Sequence, residues 1–236
     1  MAKRELVAYW GCPPPSYFKA HRDAEFVDLD IDMNAPSTGL VPEAYCQIIT
    51  NIVDNAVLLR DSIRLILAPV GEDKCDGGRF ASLILKGLGF PVEELRNTNT
   101  VRRPVSIATS DLPLSVKVNA IMDGIRGPQN ISRTPCSPTH GFWGVPPHDM
   151  RLLDLFPPTT HVYGWLRCVE AAVPANLDLE SIVDPHVPTV FYAQTFCQKT
   201  LLARHLAEKY GGLYIDCDGP MTNSVIAKIT AFIRLG

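Results

Sequence analysis

No apolar run in this 236-residue chain approaches the ~20 residues that a helix needs to cross a bilayer, and Leu6 to Trp10 is too short for a secretory signal. The expected address is the cytoplasm. Charge of one sign is not in excess either. A formal net charge of -3 removes the broad field that would draw nucleic acid or an anionic membrane, so neither is expected as a partner. Also missing are disulfide-type cysteine spacing, a paired CxxC, internal repeats and low-complexity tracts. Seven cysteines, an odd number, then read as thiols or metal ligands rather than bridges.

What is present is an alternation of strand-like and helix-like segments. Residues 5–10 and 25–31 read as short strands, the first stopped by Gly11-Cys12 and three prolines that cannot donate to a ladder. From Val41 to Arg60 apolar residues keep helical spacing, with Pro42 in the first turn and Asn51, Asp54 and Asn55 outside the apolar stripe. The run 65–70 has the continuous apolar character of a strand buried on both faces, followed by the loop GEDKCDGG and a helix over 79–88. Further strands are expected at 90–95, 104–109, 188–196 and 213–216, and further helices at 112–125, 161–172, 198–210 and 222–233. The proline-dense stretch 129–158 reads as an ordered irregular loop.

This pattern predicts an α/β fold, a Rossmann-like open parallel sheet flanked by helices. The chain forms either one compact domain or two small lobes over 1–128 and 129–236.

Four cysteines occupy one kind of place, just past the end of an expected strand: Cys12, Cys75, Cys197 and Cys217. Open parallel sheets bind ligands beyond the carboxyl ends of their strands, where loops and helix N-termini converge. A helix N-terminus favours negative charge, and Cys75 and Cys197 both precede helices, which makes them candidate nucleophiles. Thiolate and imidazole also ligate zinc or iron. Cys12, Cys75, Cys136, His140 and Cys197 are therefore candidate ligands for zinc or an Fe–S cluster in the crevice between lobes. Cys46 and Cys168 fall inside helices and read as core.

Lys199 and Thr200 open the helix after strand TVFYA. The stretch from Thr189 to Gly219 resembles the strand, loop, helix and second strand of small P-loop kinases, which implies that Lys199 and Thr200 contact phosphate. Ala193 and Gln198 stand where that loop carries glycines, so the backbone cradle is incomplete. Asp216, at a strand end, is a candidate for ribose or metal, and Arg79 for an anionic substrate. Asp28, Asp30 and Asp32 alternate with apolar residues and read as a solvated strand edge.

Three functions remain open at this point. One is a cysteine-rich site for a metal, cluster or other cofactor in small-molecule metabolism. Another is a metal-free thiol enzyme acting on a small anionic substrate. The third is a non-catalytic accessory protein, with the loop 136–148 and its Phe142-Trp143 pair as a docking surface for a protein partner.

Overall fold

The computed structural model describes residues 5–72, 74–217 and 219–235. It holds two all-parallel four-stranded sheets flanked by helices, in compact units Met1–Asn99 and Thr100–Gly236.

The first sheet has the order β2-β1-β3-β4, built from β1 (Leu6–Tyr9), β2 (Glu25–Asp28), β3 (Ile63–Pro69) and β4 (Val92–Leu95). From β1 the chain builds outward to β2 on one side, and from β3 to β4 on the other. The reversal point of the sheet is thus between β1 and β3, the place where open α/β sheets bind ligands beyond the strand ends. The intervening helices are α1 (Pro15–Ala20), α2 (Gln47–Leu58) and α3 (Asp76–Gly87). Ile49, Ile52, Val53 and Ala56 of α2, with Ala81 and Leu85 of α3, pack in one core with Ala8, Ile66 and Ala68 of the central strands.

Helix α2 begins at Gln47, not near Val41. Val41 and Tyr45 continue the apolar spacing from a loop that folds onto the same core, so the periodicity there reflects burial without helix. Its polar residues also depart from expectation. Asn51, Asp54 and Asn55 are all buried and face the loop after β2. Asn51 Nδ2 donates to the Asp30 carbonyl (3.0 Å), and Asn55 Nδ2 to the carbonyls of Leu29 (3.1 Å) and Ile31 (2.7 Å). Asp54 accepts from the Thr38 amide (3.1 Å) and hydroxyl (2.6 Å). Positions i, i+3 and i+4 share a helix face, so one face of α2 fastens the irregular stretch 29–38. Strand β2 accordingly stops at Asp28 instead of running to Ile31.

The second sheet repeats the order as β6-β5-β7-β8, from β5 (His140–Trp143), β6 (Thr160–Tyr163), β7 (Thr189–Ala193) and β8 (Leu213–Asp216). Its helices are α4 (Leu114–Asp123), α5 (Trp165–Glu170), α6 (Leu177–Glu180), α7 (Lys199–Tyr210) and α8 (Asn223–Leu235), with a 3-10 turn at Met150–Leu155. Helix α4 packs against β6, α5 and the 3-10 turn. Every residue of β7 is buried, and Ala203, Leu206 and Ala207 of α7 pack on Trp143, Phe191 and Ala193.

Three expectations are corrected in this unit. The stretch 129–158 contains a central strand, β5, whose Phe142 and Trp143 are fully buried and therefore present no exposed docking surface. Trp143 Nε1 donates to the Glu180 carbonyl at 2.6 Å. The expected helix 161–172 is instead strand β6, a turn at Gly164 and the short α5. Gly164 has φ +75, and a Cβ there would lie 2.9 Å from the Trp143 ring and the Gly144 nitrogen, so only glycine makes this tight turn.

The third correction concerns the expected strand 104–109, which is irregular. Its amides bond a side chain: Ser106 (2.7 Å), Ile107 (2.5 Å) and Ala108 (3.0 Å) all donate to the Glu170 carboxylate. Losing an acceptor that serves three part-buried amides is costly. We predict that Glu170→Ala lowers the unfolding free energy by about 3 kcal/mol in urea titration. Glu170→Gln, which keeps one carbonyl oxygen, is expected to lose less, and an unchanged midpoint in Glu170→Ala would contradict this role.

Candidate functional site

In the first unit, the strand ends, the start of α3 and the fastened loop 29–38 build one site. Cys75 is the N-cap residue of α3, in extended conformation, with its side chain exposed. Asp76, Gly77 and Gly78 form the first turn, which begins three residues before the expected Arg79. A helix start presents amides without helical partners and a partial positive charge.

The two glycines let neighbouring groups come close. A Cβ on Gly77 would lie 3.0 Å from Ile49 Cγ1 and 3.5 Å from the Tyr45 hydroxyl, so α2 and the loop before it press directly on this turn. A Cβ on Gly78 would lie 3.8 Å from Trp10 Nε1. Trp10 follows β1 and is 3% exposed, and its indole N–H is buried with no hydrogen-bond partner among the described residues. Lys74 Nζ lies against Gly11, 3.2 Å from where a Cβ would sit. Gly11 itself has φ +57, a conformation that favours glycine.

Asp30 completes the group from the end of β2. Its Oδ2 accepts from the Gly11 amide at 2.6 Å, while Oδ1 is buried without a partner. Burial raises this carboxyl to about 6, against the Gly11 hydrogen bond and the Lys74 charge, which both pull it down. The residue is therefore no part of a solvated strand edge. Arg79 is turned to structural use, donating to the Gly71 carbonyl (3.2 Å) and pairing with Asp76 (3.5 Å).

The corresponding edge of the second unit is occupied by its own side chains. Lys199 Nζ donates to both oxygens of Glu180 at 2.6 Å, and Glu180 is 1% exposed, so the cation offsets a buried carboxylate. The Thr200 hydroxyl donates to the Cys197 carbonyl. Asp216 accepts from the Thr195 hydroxyl at 2.7 Å, and Cys197, half-buried, donates its amide to the Gln194 carbonyl at 3.0 Å. Lys199 and Thr200 thus both have partners within the unit at the start of α7.

The candidate metal ligands scatter within each unit. Cys136 Sγ lies 3.1 Å from the Ser110 carbonyl and 3.8 Å from Nε2 of His161, whose ring donates to the Cys136 carbonyl at 2.9 Å. His140 instead contacts the Thr139 hydroxyl (3.1 Å) and the Ile233 carbonyl (3.2 Å). Among the described residues, no three His, Cys, Asp or Glu side chains gather as a metal ion requires. A depression of about 560 Å³ at the other edge of the first sheet, lined by Glu5, His21, Arg22, Asp23, Glu25 and Arg64, is open and charged, and lies away from the helix N-termini. The strand ends around Cys75 combine a helix start with the buried, unpartnered Trp10 N–H and Asp30 Oδ1, which this depression does not.

Trp10, Tyr45 and Lys74 were not singled out by sequence. Trp10 ends an apolar run and reads as core, which it is except for its N–H. The one available signal was the position of Trp10 and Lys74 in the loops after β1 and β3, on either side of the reversal point.

No family model matches the chain, and no curated protein matches it. Among solved structures it is similar, at 13% identity and a TM-score of 0.24, to a pyrophosphate-dependent phosphofructokinase from Marinobacter aquaeolei, over 98% of this chain and 65% of that one. A likeness at that level carries no argument about function. Among the described residues, no helix is long and apolar enough to cross a membrane.

Because folding raises the Asp30 carboxyl from 3.8 to about 6, the folded state is favoured while the group is protonated. That contribution is full below about pH 3.8 and is lost as pH rises through about 6. Asp30→Asn keeps an acceptor for the Gly11 amide and removes the titration. Its urea midpoint, relative to the unmodified protein, is expected to rise as pH goes from 4 to above 6. A pH-independent difference would show that Asp30 does not titrate in this range.

Proposed function

We propose that this protein is an enzyme of thiol chemistry, with Cys75 attacking a small anionic substrate held in the crevice of the first sheet. The observation that carries the reading is the position of Cys75: an exposed thiol capping a 12-residue helix at the reversal point of a parallel sheet. Thiolate is the nucleophilic form, and the helix start with the adjacent Lys74 supplies positive potential to stabilise it during attack. Cys12, half-buried after β1, lies at the end of the neighbouring strand and is the second thiol of this edge. The metal and cluster reading has less support, since the ligands proposed for it do not gather in threes among the described residues.

The test is competitive alkylation with iodoacetamide near neutral pH, followed by peptide mass spectrometry. Cys75 is expected to react at least ~10-fold faster than the half-buried thiols, beyond what a short exposed cysteine peptide shows under the same conditions. Lys74→Met is expected to slow Cys75 while leaving Cys12 unchanged. A Cys75 rate equal to that of the free peptide, indifferent to Lys74, would remove the nucleophile from this proposal.

A further inference from the structure

We propose that the start of α3, the Trp10 indole N–H and the Lys74 ammonium together form a binding site for a single oxyanion group, a carboxylate or a phosphate. This deepens the reading of Cys75 as nucleophile by naming the part of the substrate that the crevice would hold, but it rests on separate observations.

The first is the indole. A buried N–H without an acceptor loses its hydration and gains nothing in return, at a cost of about 1–3 kcal/mol. Such donors in native proteins are rare, and Trp10 has an evident way to have avoided the cost, because phenylalanine would fill the same apolar volume. The N–H is not lost in the core: it lies against Gly78, in the first turn of a helix long enough to have a developed N-terminal potential. The Gly78 amide itself donates to the Cys75 carbonyl at 3.2 Å, so the indole N–H is the open donor, and beside the positive end of α3 it calls for an acceptor from outside the protein.

The second is the charge. Lys74 Nζ sits against Gly11, the residue after Trp10, so the cation and the indole lie at successive positions of the same turn. The Tyr45 hydroxyl, close to Gly77, adds a polar group on the α2 side. An indole N–H and an ammonium both donate, and an oxygen carrying negative charge is the acceptor that suits the two together.

The third is the lack of bulk. Gly77 and Gly78 leave the first turn without side chains, so an anion can approach the backbone closely, as phosphate does at other glycine-bearing helix starts. Gly77 is also fixed by the contact with Ile49, which keeps the turn in register with α2. Asp30, two residues after β2, feels the Lys74 charge and would oppose an anion when ionised, while Asp76 is directed to Arg79.

The experiment follows the three tryptophan indole N–H resonances of the full chain by 15N NMR while inorganic phosphate or acetate is added at constant ionic strength. Trp10→Phe identifies the relevant peak. Trp143, already donating to the Glu180 carbonyl, is an internal reference. The Trp10 peak is expected to shift downfield and saturate with one of the two anions. Saturation with phosphate marks a phosphoryl ligand, and saturation with acetate marks a carboxylate. Lys74→Met is expected to weaken binding roughly ten-fold, the scale of one charge-assisted hydrogen bond, and Lys74→Arg to restore it. The indole resonances report anion binding directly, so the anion site stands even if Cys75 proves unreactive toward iodoacetamide. A shift linear in concentration, an equal shift with chloride, or saturation unaffected by Lys74→Met would overturn the site.

Discussion

Backbone groups that leave the sheet ladders without reaching water must find partners among the side chains, and this requirement organises both units. In the first, one face of α2 supplies the partners: Asn51, Asp54 and Asn55 fix the stretch between β2 and α2. Asp30 can then reach the Gly11 amide and hold the loop after β1 in its left-handed turn. In the second, the Glu170 carboxylate gathers three successive amides of the stretch 106–108. Lys117, fully buried, does the converse: it donates to the carbonyls of Pro158 (2.7 Å) and Thr160 (2.6 Å), and burial draws its ammonium down to about 8. These contacts shape loops whose residues have little regular structure of their own.

The same requirement governs the polar groups at the two strand edges. In the second unit Lys199 pairs with Glu180 and Thr195 with Asp216 near α7, while Gln194 Oε1, just after β7, is buried with no partner among the described residues. In the first, the accounts stay open: the Trp10 N–H and Asp30 Oδ1 are buried without protein partners at the end of the strands where the sheet reverses. Two sheets of equal strand order thus differ in kind at this edge: the first leaves a donor open, the Trp10 N–H, beside an acceptor, and the second leaves an acceptor, Gln194 Oε1.

The α/β alternation and the buried parallel strands were legible because their apolar runs are long and continuous, as in β3 and β7. The placement of Cys12, Cys75 and Cys197 past strand ends followed from the same pattern. What was hidden had a common cause. Sequence spacing tells which residues are apolar, not which polar residues are buried, so Asn51 and Asn55 looked like a solvated face. Strand β5, with only four residues between proline-rich stretches, was too short to stand out. Strand β6 and α5 are joined by one glycine, so their merged pattern looked like a single helix. The Trp10 N–H was invisible because the rest of the ring belongs to the core.

Each unit is one uninterrupted stretch of chain, with no strand borrowed across the division at Asn99. A ribosome that adds about 5–20 residues per second releases the whole first sheet, with α2 and its ladder of side chains, before most of the second has been made. The strand ends around Cys75 can therefore pair on the nascent chain while β5 to β8 are still to be made. The order of synthesis and the order of assembly coincide, which spares β1 and β3 a long wait as unpaired apolar edges.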